Sequence, residues 1–142
     1  MPAPRPTGSL PCPAALLTLA LAWPLPAVAQ ESYEQRWIRL ADAHAALVAE
    51  EAGSAYQARL LEQHEGVARS VEERCGRAGR RSGMASFQAV MVLAADGRVE
   101  ELLPMPRSPH FRCFEKEMQR QRFPAPPTAP FYQVLRFDLP SG

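Results

Sequence analysis

Between Glu31 and Leu103 the chain has no proline, so nothing there forbids long helices. An excess of charge is also missing. Of 16 Lys and Arg only Arg5 falls in the first 29 residues, which leaves 15 basic against 15 acidic residues beyond them. A balanced surface gives no electrostatic case for nucleic acid or for an anionic membrane. Histidine is sparse: His44, His64 and His110 have no spacing that gathers metal ligands, so no metal and no cofactor is expected. No serine sits in a G-x-S-x-G turn. The carboxylate pairs Glu72–Glu73, Glu100–Glu101 and Glu115/Glu117 are near neighbours in sequence, which point apart on a helix or strand. Without an enzyme constellation, a non-catalytic protein is expected.

Apolar runs are equally rare. The one that stands out is Ala14–Trp23, ten residues, after Arg5 and before the triplet Ala27-Val28-Ala29. That order is a secretory signal peptide, residues 1–29, cleaved after Ala29. Ten residues fall short of the roughly 20 that span a bilayer, and Pro24 and Pro26 close the run. Membrane attachment is expected only if this leader stays uncleaved as an anchor. The remaining 113 residues suffice for one small domain. Cys12 leaves with the leader, and Cys75 and Cys113 remain. In an oxidising compartment two cysteines pair by default, with two free reactive thiols as the alternative. A bridge would close a loop of about 38 residues, worth roughly 3–4 kcal/mol.

What is abundant in residues 30–74 is Ala, Leu, Glu and Arg, a helical composition. Trp37, Leu40, Ala41, His44, Leu47 and Val48 form one apolar stripe, and Leu60, Leu61, His64, Val67, Ala68 and Val71 form a second. Between them Gly53-Ser54 marks either a junction of two helices or a weak point in one. His44 and His64 are expected to pack on these stripes. The stretch "RCGRAGRRSG" opens a Gly/Arg linker assigned to residues 75–85. Within it Arg77, Arg80 and Arg81, next to Arg74, are a candidate anion patch, against the plainer reading of a solvated connection.

Strand signals start at Ser86. "SFQAVMVL" places Phe87, Ala89, Met91 and Leu93 on one face and Gln88, Val90 and Val92 on the other, both largely apolar. Such a strand is covered on both sides or paired centrally. Asp96-Gly97 is a hairpin turn. The return strand puts Val99, Glu101 and Leu103 on one face and Glu100 and Leu102 on the other, and ends at Pro104 and Pro106. Ser108 is an N-cap with Pro109 at the first helical position, and Phe111, Phe114 and Met118 share a helical face. Cys113 points away from the sheet, toward the N-terminal helices. "FPAPPTAP" can be neither helix nor central strand, so it is a rigid crossover to the far side of the hairpin. "FYQVLRFDL" is the last strand. The expected fold is α+β: a helical segment, then a ββαβ unit over residues 86–140 with a three-stranded antiparallel sheet.

The run "VLAADGRVEELLPM", a helix carrying a cysteine, then "RFPAPPTAPFYQVLRF" resembles the C-terminal domains of the periplasmic energy-transducing proteins TonB and TolA. Asp96, Gly97, Phe123, Pro124, Pro126, Pro127, Tyr132 and Val134 carry the likeness, which covers Phe87 to Leu139. TolA domains commonly have a cysteine near the start of this helix, matched by Cys113; their partner cysteine lies in the first strand, whereas Cys75 precedes it. The membrane anchor and long stalk of those proteins have no counterpart here. The chain therefore looks like a secreted, stand-alone version of the recognition module, and energy transduction does not carry over.

The resemblance implies that a partner peptide is received by strand addition. The last strand of such a sheet is an edge with unpaired backbone groups. Phe131, Tyr132, Gln133, Val134, Leu135, Arg136 and Phe137 are the expected partner-binding residues. The expected function is non-catalytic recognition of a periplasmic or envelope protein. A thiol-active periplasmic enzyme using Cys75 or Cys113 and a purely structural envelope protein are the alternatives.

Overall fold

A computed structural model describes residues 1–3 and 29–139. The expected leader lies outside the described residues over positions 4–28. Helix α1, Tyr33–Ala49, starts at a reciprocal cap: the Ser32 hydroxyl accepts from the Gln35 N–H, and the Gln35 side chain accepts from the Ser32 N–H. It stops at Glu50, whose backbone is extended, and α2 then runs over Glu51–Arg80. The junction thus lies just before Gly53, and Gly53 is what permits it. A Cβ there would overlap the Leu47 carbonyl of the preceding helix.

α2 also overturns the linker. Residues 75–80 of the Gly/Arg stretch are helix, and the connection to the sheet is the short turn beyond Arg80. The glycines serve close packing here rather than flexibility. Cys75, Gly76 and Gly79 form a buried strip, and a Cβ on Gly79 would lie 2.7 Å from Leu139 Cδ2 and 3.0 Å from Phe114 Cε2.

Three antiparallel strands follow: β1, Ser86–Leu93; β2, Val99–Met105; and β3, Phe131–Asp138, in the order β2-β1-β3. The fold is α+β. β1 is central and covered on both faces. Phe87, Ala89, Met91 and Leu93 join Phe131, Leu135 and Phe137 beneath α2 and the short helix α3, Arg112–Met118. On the opposite face Val90, Val92 and Leu103 pack on Leu40, Trp37 and Tyr33 of α1. The phenylalanines form one nest: Phe87 stacks on Phe111 at 3.9 Å and on Phe137 at 5.1 Å, with Phe114 edge-on at 5.0 Å.

The hairpin turns at Asp96-Gly97 with Gly97 at φ 81°, where Asp96 Oδ1 accepts from the Arg98 N–H. Beyond it the register skips Glu100, since Val92 pairs with Glu101 but Leu93 pairs with Val99. This bulge turns Val99 onto the same face as Leu102, both in the larger core, while Leu103 lies on the other. The expected grouping of Val99 with Glu101 and Leu103 is therefore wrong; strict alternation cannot anticipate an extra residue. Pro104 does not end β2 either. It pairs with Ala89, whose backbone turns toward β3 (the Leu139 N–H donates to the Ala85 carbonyl and the β1–β3 register is unbroken), so the missing N–H of Pro104 falls on the outer side.

A 3₁₀ turn at Pro109–Phe111, capped by the Ser108 hydroxyl accepting from the His110 N–H, leads into α3. Cys113 reaches the buried Cys75 of α2, with 5.5 Å between Cα atoms, and the disulfide ties α2 to α3. Residues 123–130 then cross without helix or strand to the far side of β1. The Phe123 N–H donates to the Gly97 carbonyl at 2.9 Å, which fastens the crossover to the hairpin tip.

Candidate functional site

Both outer strands of the sheet have an unpaired side, and they differ. On β2 Pro104, next to the end of the strand, turns outward; it has no N–H, and its carbonyl already accepts from the Tyr33 hydroxyl at 2.6 Å. Trp37 Nε1–H adds a bond to the Leu103 carbonyl, and the Arg36 guanidinium grips Glu101. The first turns of α1 thus cap this rim at its Pro104 end, while the outward backbone groups of Leu102 have no partner among the described residues.

β3 has no proline from Phe131 to Asp138. The Leu139 N–H donates to the Ala85 carbonyl of the adjoining chain at 2.8 Å, and the β1–β3 register is unbroken. Odd-numbered residues of β3 therefore direct their N–H and C=O toward β1. Tyr132, Val134, Arg136 and Asp138 direct theirs outward.

Three of these eight outward groups have partners within the chain. His44 Nδ1–H, from α1, donates to the Tyr132 carbonyl at 2.9 Å. The Gln133 side-chain amide donates to the Val134 carbonyl at 2.9 Å. Glu72 of α2 accepts from the Asp138 N–H at 3.2 Å. Burial raises the Glu72 carboxyl above its ordinary value, and the Asp138 N–H opposes that rise. No partner is seen among the described residues for the N–H of Tyr132, Val134 and Arg136 or for the C=O of Arg136 and Asp138.

The side chains divide the expected partner-binding set. Phe131, Gln133, Leu135 and Phe137 are buried, none more than 3 % exposed, and their backbones pair with β1. They hold the strand in place with their side chains in the core, because alternation turns every second residue inward. Tyr132 and Val134 are half-buried beside α1, and Arg136 is exposed. Asp138, left out of the expected set, completes the outward series and lies 3.1 Å from Arg136. The position of Asp138 in the same alternation was the signal that could have found it.

Of the candidate anion patch, Arg77 and Arg81 are exposed at the end of α2, and Arg80 is exposed but engaged within the chain. Arg74 pairs with Glu117 at 3.2 Å. His64 packs between Phe123 and Phe137, buried as expected, whereas Leu61 is 41 % exposed and falls off its stripe. Cys75 and Cys113 are joined, with Cys75 fully buried, so neither presents a thiol. Among the described residues no helix is long and apolar enough to cross a membrane. No family model, no curated protein and no solved structure matches the chain.

Proposed function

We propose that the chain is a non-catalytic recognition module of the periplasm, exported by a leader cleaved after Ala29, that receives an extended segment of an envelope protein on the outer edge of β3. One observation carries this reading: the two rims are unequal. The β2 rim carries a proline and an α1 cap at Pro104, while β3 offers a proline-free run with five outward backbone groups that lack partners among the described residues. Exposed strand edges are normally charged, shortened or covered, because they template pairing with other chains. A disulfide between the buried Cys75 and the half-buried Cys113 supports an oxidising compartment. The D-G turn, the F-P-x-P-P crossover and the aromatic-led last strand support a TonB/TolA-like module, with no role in energy coupling assigned.

A photo-crosslinking side chain at Arg136, in cells exporting the full chain, tests the proposal. A discrete adduct is expected, and it should vanish when Val134→Pro is added although the protein stays folded. An adduct indifferent to Val134→Pro, or none at all, overturns strand addition. The second reading, a purely structural envelope protein, is favoured by the three capped groups. It requires the amides of Tyr132, Val134 and Arg136 to exchange as slowly as those of β1.

A further inference from the structure

The caps on β3 are not evenly spread over donors and acceptors. Toward its N-terminal end the carbonyls are taken: Tyr132 by His44, Val134 by Gln133. The N–H groups of both residues remain open. Arg136 keeps both its N–H and its C=O. At Asp138 the pattern inverts, because Glu72 takes the N–H and leaves the C=O.

Resting on the strand-addition reading, we infer that the partner is an extended, antiparallel segment that carries proline at the positions facing Tyr132 and Val134. The sheet is antiparallel throughout, and an antiparallel addition continues it. In such a pair a partner residue opposite an outward residue of β3 exchanges two bonds with it. Its C=O takes the β3 N–H, and its N–H reaches for the β3 C=O. Opposite Tyr132 and Val134 the second bond would have to share a carbonyl that already accepts from His44 or Gln133, so it adds least there. A partner residue there needs only a carbonyl, and proline supplies a carbonyl without an N–H. Opposite Arg136 both bonds are available, and opposite Asp138 only the partner N–H is used, so proline is excluded at both.

Reading the partner from its N-terminus, the first and third residues face Asp138 and Arg136 and must have N–H groups. The fifth and seventh face Val134 and Tyr132 and accept proline. The second, fourth and sixth turn their backbone away from β3 and are indifferent. The chain uses the complementary device on its other rim, where Pro104 pairs within β2 with its missing N–H turned outward.

The probe is a set of blocked seven-residue peptides alternating Thr and Val, with proline placed singly at each position, titrated into isotope-labelled chain without its leader. A spin label on the peptide N-terminus should broaden the Arg136 and Asp138 amides, which fixes direction and register. Proline at the first or third position is expected to weaken binding about fivefold, the worth of one hydrogen bond. At the fifth or seventh position it is expected to leave affinity unchanged within about twofold. Gln133→Leu frees the Val134 carbonyl and should make the fifth position discriminate against proline about fivefold. His44→Ala should do the same at the seventh and serves if the core substitution perturbs folding. Equal losses at all four facing positions, or a fifth position unmoved by Gln133→Leu, overturn the proline preference while strand addition stands. If no peptide shifts any β3 amide, strand addition falls and the preference with it.

Discussion

Gln133 turns its side-chain amide around the rim of the sheet and donates to the carbonyl of Val134, its successor in β3, at 2.9 Å. The same side chain is 1 % exposed, and its Oε1 is buried with no partner. A polar atom is thus kept in an apolar core, where an unmade hydrogen bond costs roughly 1–3 kcal/mol. The cap on the Val134 carbonyl is what the protein obtains from it.

Gln133→Leu should accordingly raise stability, by about 1 kcal/mol once the lost cap is set against the relieved oxygen. Urea denaturation would show a higher midpoint at unchanged slope. A lower midpoint would mean that Gln133 is better satisfied than its surroundings indicate.

His64 makes stability depend on acid. Burial pushes its imidazole down to about 4, against an unfolded value near 6.5. The ring is 7 % exposed, with Nδ1 buried and unpartnered. The folded state holds His64 neutral, so its contribution is complete above pH about 6.5 and is lost as pH falls toward 4. The loss amounts to about 3 kcal/mol across that window. His64→Leu should flatten the decline of the thermal midpoint between pH 6.5 and 4. An undiminished slope would place the acid sensitivity elsewhere.

Val134→Pro and Val92→Pro should separate edge from centre. Val134 turns its N–H outward, whereas Val92, in the central strand, directs its N–H to Glu101 of β2. The Val92 variant should lose at least about 1 kcal/mol more than the Val134 variant, the value of a ladder bond. Parallel unfolding curves would show that β3 is not an edge in solution.

The glycines of α2 should respond in opposite directions. Gly66→Ala meets nothing within 4 Å on an exposed turn and should stabilise by up to about 1 kcal/mol. Gly53→Ala drives a methyl into the Leu47 carbonyl and should cost about 1–3 kcal/mol. Thermal midpoints of the two variants check both signs at once.

Much of this architecture was written in residue spacing. The two apolar faces of β1, the Asp96-Gly97 turn, the cap at Ser108 and the proline crossover each follow from local chemistry that tertiary contacts do not reverse. The pairing of Cys75 with Cys113 followed from an expected oxidising compartment and from the face Cys113 occupies. What spacing could not give was the use of small residues for close approach. "RCGRAGRRSG" has the composition of a flexible link, yet Cys75, Gly76 and Gly79 are where α2 lets Phe114 and Leu139 come near. The bulge at Glu100 was hidden for a related reason, since its cause is the shape of the sheet and not any motif. The candidate site was half legible. Alternation marks the outward residues of β3, but the caps from His44 and Glu72 arrive from helices some 66 to 88 positions away.

The central strand is also the first of the three to be synthesised. β1 precedes both of its neighbours, and β3 comes last, some 38 residues after β1 ends. A cut in the crossover between α3 and β3 that releases β3 therefore leaves the middle of the sheet bare on one side, with the phenylalanine nest open beneath it. Copies nicked there would be conspicuous to quality-control proteases, and only those that keep β3 could hide their interior.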